Sequence, residues 1–144
     1  MAYEIIYADP PWHYAARRTG TRFGGGVTDK YPTMTTEEIA GLQIPAADHS
    51  VLLIWCTMPY LDRCIQEIIP GWGFRYITCA FTWIKTNRNN GRPFAGVGNY
   101  TKSNAELCLL AKRGRGLPRQ ARDVHQGIQQ PRREHSRKPD RVRD

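Results

Sequence analysis

Several things are scarce in this chain, and each scarcity excludes something. No run in its 144 residues approaches the ~18 consecutive apolar residues of a membrane-spanning helix. The N-terminus passes directly into an apolar strand-like run without a charged leader, so a cytoplasmic protein with no membrane partner is expected. Nothing recurs at a fixed period, which excludes a solenoid. The four cysteines, Cys56, Cys64, Cys79 and Cys108, have no C-x-x-C spacing and lie in or beside apolar segments. They read as buried free thiols, not as zinc ligands or a disulfide framework, and no metal site is indicated. The length suits a single domain, 1–144, with one core.

Acidic residues are also few, 13 against 21 Lys and Arg. The imbalance is local: residues 112–144 carry a net +7 and residues 1–111 a net +1. A basic C-terminal segment of this kind neutralises phosphates and makes affinity salt-dependent, with Arg132, Arg133 and Arg137 as the candidate contacts. The partner implied is a nucleic acid.

What is present is a series of apolar segments. Glu4–Ala8, Ser50–Thr57, Ile77–Ile84 and Glu106–Ala111 have the length and the β-branched or aromatic content of strands in a sheet covered on both faces. Pro59–Ile69 places Leu61, Cys64, Ile65, Ile68 and Ile69 at helical spacing, and Pro70-Gly71 closes it, giving a βαβ unit. Thr35 and Glu38 match a capping box for a helix over Glu38–Gly41. Strands alternating with helices predict an α/β fold on a parallel sheet. His13–Met34 and Thr86–Ser103 lack core periodicity and leave from strand ends, where open α/β sheets bind ligands, so both are expected to be active-site loops. The Gly24-Gly25-Gly26 run lacks the Gly-Lys-Ser/Thr of a phosphate loop and reads as a flexible stretch.

The most specific feature is Asp9-Pro10-Pro11-Trp12, delivered by Ile5-Ile6-Tyr7-Ala8. The exocyclic nitrogen of adenine shares its lone pair with the ring, and acceptors on its protons return electron density to it. A carboxylate and a carbonyl on a backbone stiffened by proline fix such acceptors before substrate arrives. Trp12 supplies a flat face on which an unstacked base regains ~1–3 kcal/mol. Asp9, Pro10, Pro11 and Trp12 are therefore the candidate catalytic residues.

Further motifs stand in one order from Tyr3 to about Asp140: Tyr7-Ala8-Asp9-Pro10-Pro11-Trp12, Tyr31-Pro32-Thr33-Met34, Leu53-Ile54-Trp55, Trp72-Gly73-Phe74, Trp83-Ile84-Lys85-Thr86-Asn87, Asn104-Ala105-Glu106-Leu107-Cys108-Leu109-Leu110 and Arg132-Arg133-Glu134-His135-Ser136-Arg137-Lys138-Pro139-Asp140. With these the chain resembles the MT-A70 family of adenine-N6 methyltransferases, in particular its short bacterial and phage members. The resemblance implies a Rossmann-like methyltransferase sheet and S-adenosylmethionine as methyl donor. It implies that Asp9 and Pro10 contact the adenine amino group and the donor, and that Lys138, with Ser136 beside it, contacts the donor. Tyr31 and Glu106 correspond to positions near the adenine, with Trp83, Lys85 and Tyr100 on the pocket wall. Phe94-Ala95-Gly96-Val97-Gly98 matches the F-x-G-x-G donor cradle of many adenine methyltransferases, but Asn87–Arg92 precedes it where an apolar strand is required, so it is not assigned that role.

Family members continue past K-P-D into a helix, a strand and a W-G-N tail that grip the donor, whereas this sequence ends at Asp144. The expectation is a sheet without its last helix and strand, whose exposed edge a protein partner or a second copy would cover. The reading this supports first is methylation of adenine in DNA by an S-adenosylmethionine-dependent enzyme; the alternatives are an inactive nucleic-acid-binding remnant of the same family and methylation of adenine in RNA.

Overall fold

A computed structural model describes residues 1–12, 33–133 and 137–144. Its framework is a five-stranded sheet in the order β1-β2-β4-β3-β5, formed by β1 (Tyr3–Ala8), β2 (Ala46–Thr57), β3 (Arg75–Thr86), β4 (Ala105–Arg113) and β5 (Gly127–Pro131). β1 runs parallel to β2 and β5 parallel to β3, but β4 lies antiparallel to both β2 and β3. The parallel sheet expected from the sequence is thus a mixed one. The βαβ unit is likewise modified, because β4 inserts between β2 and β3. The physical reason is the 87–104 connection, which has no helix to carry the chain back across the sheet and so returns it antiparallel.

Period-two alternation divides the core into two. Leu52, Ile54 and Cys56 of β2 and Leu109 and Ala111 of β4 face the larger cluster, with Ile39, Cys64, Ile68, Ile69, Trp72 and Phe74 from the helical layer. Trp55, Trp83, Cys108, Ile128 and Val142 form the smaller cluster on the opposite face. That second face is not fully covered as the sequence led one to expect: Ile5 is 61% exposed and Tyr7 37%. β5 was not foreseen at all, since Ile128 is its one buried side chain.

Helices cover the first face. α1 (Thr36–Ala40) starts on the expected capping box: the Glu38 amide donates to Thr35 Oγ1 and the Thr35 amide to Glu38 Oε1, both at 3.2 Å. The second helical stretch opens with a 3₁₀ turn (Met58–Tyr60), continues through α2 (Leu61–Arg63) and a π segment (Cys64–Ile68), and ends as α3 (Ile69–Gly71). It therefore includes Pro70-Gly71 instead of stopping before them. Trp72 ties the layer together by donating its indole N–H to the Ile39 carbonyl at 2.7 Å. Thr35→Ala should cost about 1 kcal/mol by freeing one helix-end amide, measured as a fall in urea midpoint with unchanged slope. A last turn, α4 (Asp140–Arg143), seats Val142 in the second core.

Candidate active site

The carboxyl ends of β1, β2, β3 and β5 point the same way, and antiparallel β4 brings its amino end to them. Asp9 follows β1, Lys85 sits at the end of β3, and Glu106 is the second residue of β4. Period-two spacing puts Tyr7 below Asp9, Trp55 below Thr57, and Trp83 below Lys85.

Glu106 is the centre of the group. Lys138 Nζ donates to both of its carboxylate oxygens at 3.1 Å, and Lys85 Nζ lies 3.2 Å from Oε2. Lys138 also stands 3.7 Å from Asp9 Oδ2. Two carboxylates and two ammonium groups thus balance. Glu106 is 7% exposed at its side chain and Lys138 10%, whereas Asp9 is 46% exposed. Asp9 is the member a ligand can reach, with its charge oriented from behind by buried partners.

The floor is aromatic. Lys138 Nζ lies 5.6 Å from the Trp55 ring centre and 5.9 Å from that of Trp83, and Lys85 Nζ is 5.4 Å from Trp83. The two indoles meet edge to face at 6.2 Å. Each N–H is satisfied, Trp83 donating to the Gln130 carbonyl at 2.9 Å and Trp55 to Tyr7 Oη at 2.8 Å. Such rings hold an ammonium group by cation–π attraction without competing for its protons.

Burial raises the Asp9 carboxyl above its ordinary value; Lys138 opposes the shift and Glu106 adds to it. Burial also raises the Tyr7 phenol, against the hydrogen bond from Trp55. Burial, with Cys79 nearby, pushes the Cys108 thiol up to about 12. The Cys56 thiol is raised by its hydrogen bond with Cys64 and then by burial. All four cysteines are free, and Cys56, Cys64 and Cys108 are buried. They pack as inert thiols.

The other expected residues divide. Trp12 is 5% exposed, stacked on Tyr60 at 5.1 Å, and its indole N–H donates to the Trp55 carbonyl at 3.3 Å. It pins the D-P-P-W turn into the first core instead of presenting a free stacking face. Pro10 is buried, and its carbonyl accepts from the Trp12 amide at 2.9 Å, which leaves its second lone pair for a ligand. The Pro11 carbonyl accepts from the Met34 amide at 2.9 Å. Tyr100 is fully exposed and outside the charged group. Tyr31 and Ser136 lie outside the described residues. Of the three candidate phosphate contacts, Arg133 and Arg137 pair with Asp140 at 3.1 and 3.2 Å, and Arg132 lies over the Phe94 ring at 3.4 Å. The Asp140 carboxyl is held below its ordinary value, chiefly by the hydrogen bond from Arg133. Arg113, also part of the basic segment, instead donates to the carbonyls of Ala46, Trp72 and Gly73.

Sequence reasoning missed Tyr7, Trp55 and Thr57. The signal was alternation, since each lies two residues from a neighbour on the same face. Thr57 pairs in register with Glu106, and its hydroxyl is buried without a partner among the described residues. Beside it opens a cavity of about 400 Å³, lined by Met58, Pro59 and parts of the 97–105 segment.

The family model of MT-A70 matches residues 3–144, which takes in every member of this charged group. The chain belongs to the MT-A70 family. It is 36% identical to the Type II methyltransferase M.MunI of Mycoplasma sp over 159 aligned positions, covering 99% of this chain and 65% of that protein. It is 27% identical to a putative N(6)-adenosine-methyltransferase MT-A70-like protein of Medicago truncatula, covering 96% of this chain and 20% of the relative. A probable counterpart from Oryza sativa subsp. japonica is 26% identical, with 96% and 18% covered. The chain thus spans just under two thirds of the length of the bacterial relative and about a fifth of that of the plant ones.

Proposed function

We propose that this chain transfers a methyl group from S-adenosylmethionine to the N6 amino group of adenine in DNA, on a single Rossmann-like methyltransferase domain. The observation that carries the reading is the Asp9–Lys138–Glu106–Lys85 group at the strand ends, in a chain of the MT-A70 family. DNA is favoured over RNA because the 36% relative is a Type II methyltransferase, while the N(6)-adenosine relatives are 27% and 26% identical.

S-adenosylmethionine, when bound, supplies an electrophilic methyl group. Its amino-acid end bears one ammonium and one carboxylate, and the site matches that pair with an accessible carboxylate, Asp9, and an ammonium, Lys138, 3.7 Å apart. The orphaned Thr57 hydroxyl is a further group awaiting a partner. Asp9 and the free lone pair of the Pro10 carbonyl accept from the adenine amino protons and so return electron density to the nitrogen. Glu106 holds Lys138 and Lys85 in place while Trp55 and Trp83 keep water from beneath them. Most of the rate enhancement then comes from fixed geometry and preorganised charge.

Calorimetry tests donor binding. Wild-type chain should bind S-adenosylmethionine, and Lys138→Ala should weaken binding at least tenfold by removing a charge-assisted contact. Equal binding by both would contradict the placement of the donor.

The acid limb of the pH profile is a second expected result. Transfer needs Asp9 ionised, so the rate should fall as pH drops through a value raised above that of an ordinary aspartate, and Asp9→Glu should move that limb. Stability has the opposite sign. Between the ordinary value and the raised one, the unfolded chain ionises first, so the fold loses stability as pH rises through that window, and the loss persists above it. Asp9→Asn should therefore be as stable as wild type at pH 7 or more so, by no more than ~1 kcal/mol given the exposure of the carboxylate.

A further inference from the structure

We propose that the 87–104 connection between β3 and β4 is a DNA-docking element, with Arg88, Arg92 and Lys102 placed for phosphates and Tyr100 for a base. The inference rests on the reading of the chain as a DNA adenine methyltransferase and adds the surface on which the duplex would sit.

Charge is the first observation. From Lys85 through Asn104 the sequence contains no Asp or Glu. Arg88, Arg92 and Lys102 are exposed, and among the described residues none of them has an acidic partner. Three of the C-terminal arginines, Arg133, Arg137 and Arg143, instead share Asp140. Arg88, Arg92 and Lys102 share the lack of an acidic partner with Arg115, Arg119, Arg122, Arg132 and Arg141, and what sets the connection apart is that it runs from Lys85 to Glu106, the reactive group itself.

The second observation is that the connection is built, not loose. Asn87 donates to the Arg92 carbonyl at 2.8 Å, Phe94 donates to the Lys85 carbonyl at 2.8 Å, and Gly96 and Ser103 exchange backbone hydrogen bonds at 2.8 and 3.1 Å. The two glycines of the F-x-G-x-G pattern make this small hairpin possible. A Cβ on Gly96 would lie 2.8 Å from the Ser103 carbonyl oxygen, and one on Gly98 would lie 2.3 Å from that of Thr101. At the tip Tyr100 has φ 63° and is fully exposed, with its ring in water.

Third, a cation from another element is fixed onto the same surface. Arg132, just past β5, sits 3.4 Å from the centre of the Phe94 ring. Exposed cations interleaved with an exposed aromatic fit a phosphodiester backbone with accessible bases. The connection enters from the carboxyl end of β3 and ends two residues before Glu106, so its edge borders the reactive group.

The test is fluorescence anisotropy of the intact chain with an adenine-containing DNA duplex over a range of salt. Replacing Arg88, Arg92 and Lys102 together by Ala should lower the slope of log K against log salt by about 0.9 per lost contact and weaken binding roughly tenfold or more at low salt. Arg88→Lys with Arg92→Lys should keep the wild-type slope, which separates lost charge from lost folding. Tyr100→Ala should weaken binding roughly fivefold or more without changing the slope. An unchanged slope in the triple variant, with wild type still binding and methylating DNA, overturns this inference alone. Wild type that binds no DNA overturns both it and the functional reading. Tighter binding of an RNA of the same sequence, lost in the same triple variant, overturns DNA as the occupant.

Discussion

Asp9→Ala should lower methyl transfer to adenine-containing DNA by roughly 10²–10³-fold or more while leaving DNA affinity nearly unchanged. The expectation follows from where Asp9 stands. Its neighbours Lys138 and Glu106 are nearly covered, and Asp9 is the most open of the group, with its side chain 46% exposed against 10% and 7%. A group so placed meets the reacting nitrogen, whereas affinity for a polyanion comes from many phosphate contacts elsewhere. Turnover measured with labelled donor, alongside anisotropy on the same duplex, separates the two quantities. Wild-type turnover in Asp9→Ala would remove D-P-P-W from the chemistry.

Glu106→Ala should be the most destabilising change in the site, by ~3–5 kcal/mol. Glu106 answers two lysines at 3.1 and 3.2 Å; without it Lys85 has no partner in the group and Lys138 keeps only Asp9 at 3.7 Å. Glu106→Gln retains acceptors without the charge and should cost less. Urea unfolding at constant slope reads both values. A loss below ~1 kcal/mol for Glu106→Ala would match an exposed pair and contradict the buried arrangement.

Local features were legible in the sequence wherever one physical signal dominated. The Thr35/Glu38 capping box is present as read, because both hydrogen bonds are local. The cores of β1, β2, β3 and β4 were marked by their apolar runs. Strand direction was not, because alternation in Glu106–Ala111 is the same whichever way the strand runs. The 18 residues before it, lacking helical spacing, were the available sign of an antiparallel return. β5 escaped notice because an edge strand with one buried residue, Ile128, carries almost no apolar signal.

In the site, Asp9, Glu106, Lys85 and Lys138 were all named from sequence, and the structure brings them within ion-pair reach. Their mutual geometry was not readable, since Lys138 and Glu106 are 32 residues apart and meet only through the sheet. Trp12 shows a limit of motif reading. A tryptophan in a catalytic tetrapeptide suggests a base-stacking face, yet its apolar area is here satisfied by Tyr60 and the first core. The pairing of Arg133 and Arg137 with Asp140 was not readable from net charge, which counts the aspartate without showing which cations it meets.

The central claim, methyl transfer to the adenine amino group, is tested most directly by mass spectrometry of nucleosides. The chain is incubated with S-adenosylmethionine and duplex DNA, and the DNA is then digested. The account predicts N6-methyldeoxyadenosine in the wild-type sample and its loss with Asp9→Ala. Methylation on cytosine, or N6-methyldeoxyadenosine undiminished by Asp9→Ala, would contradict it.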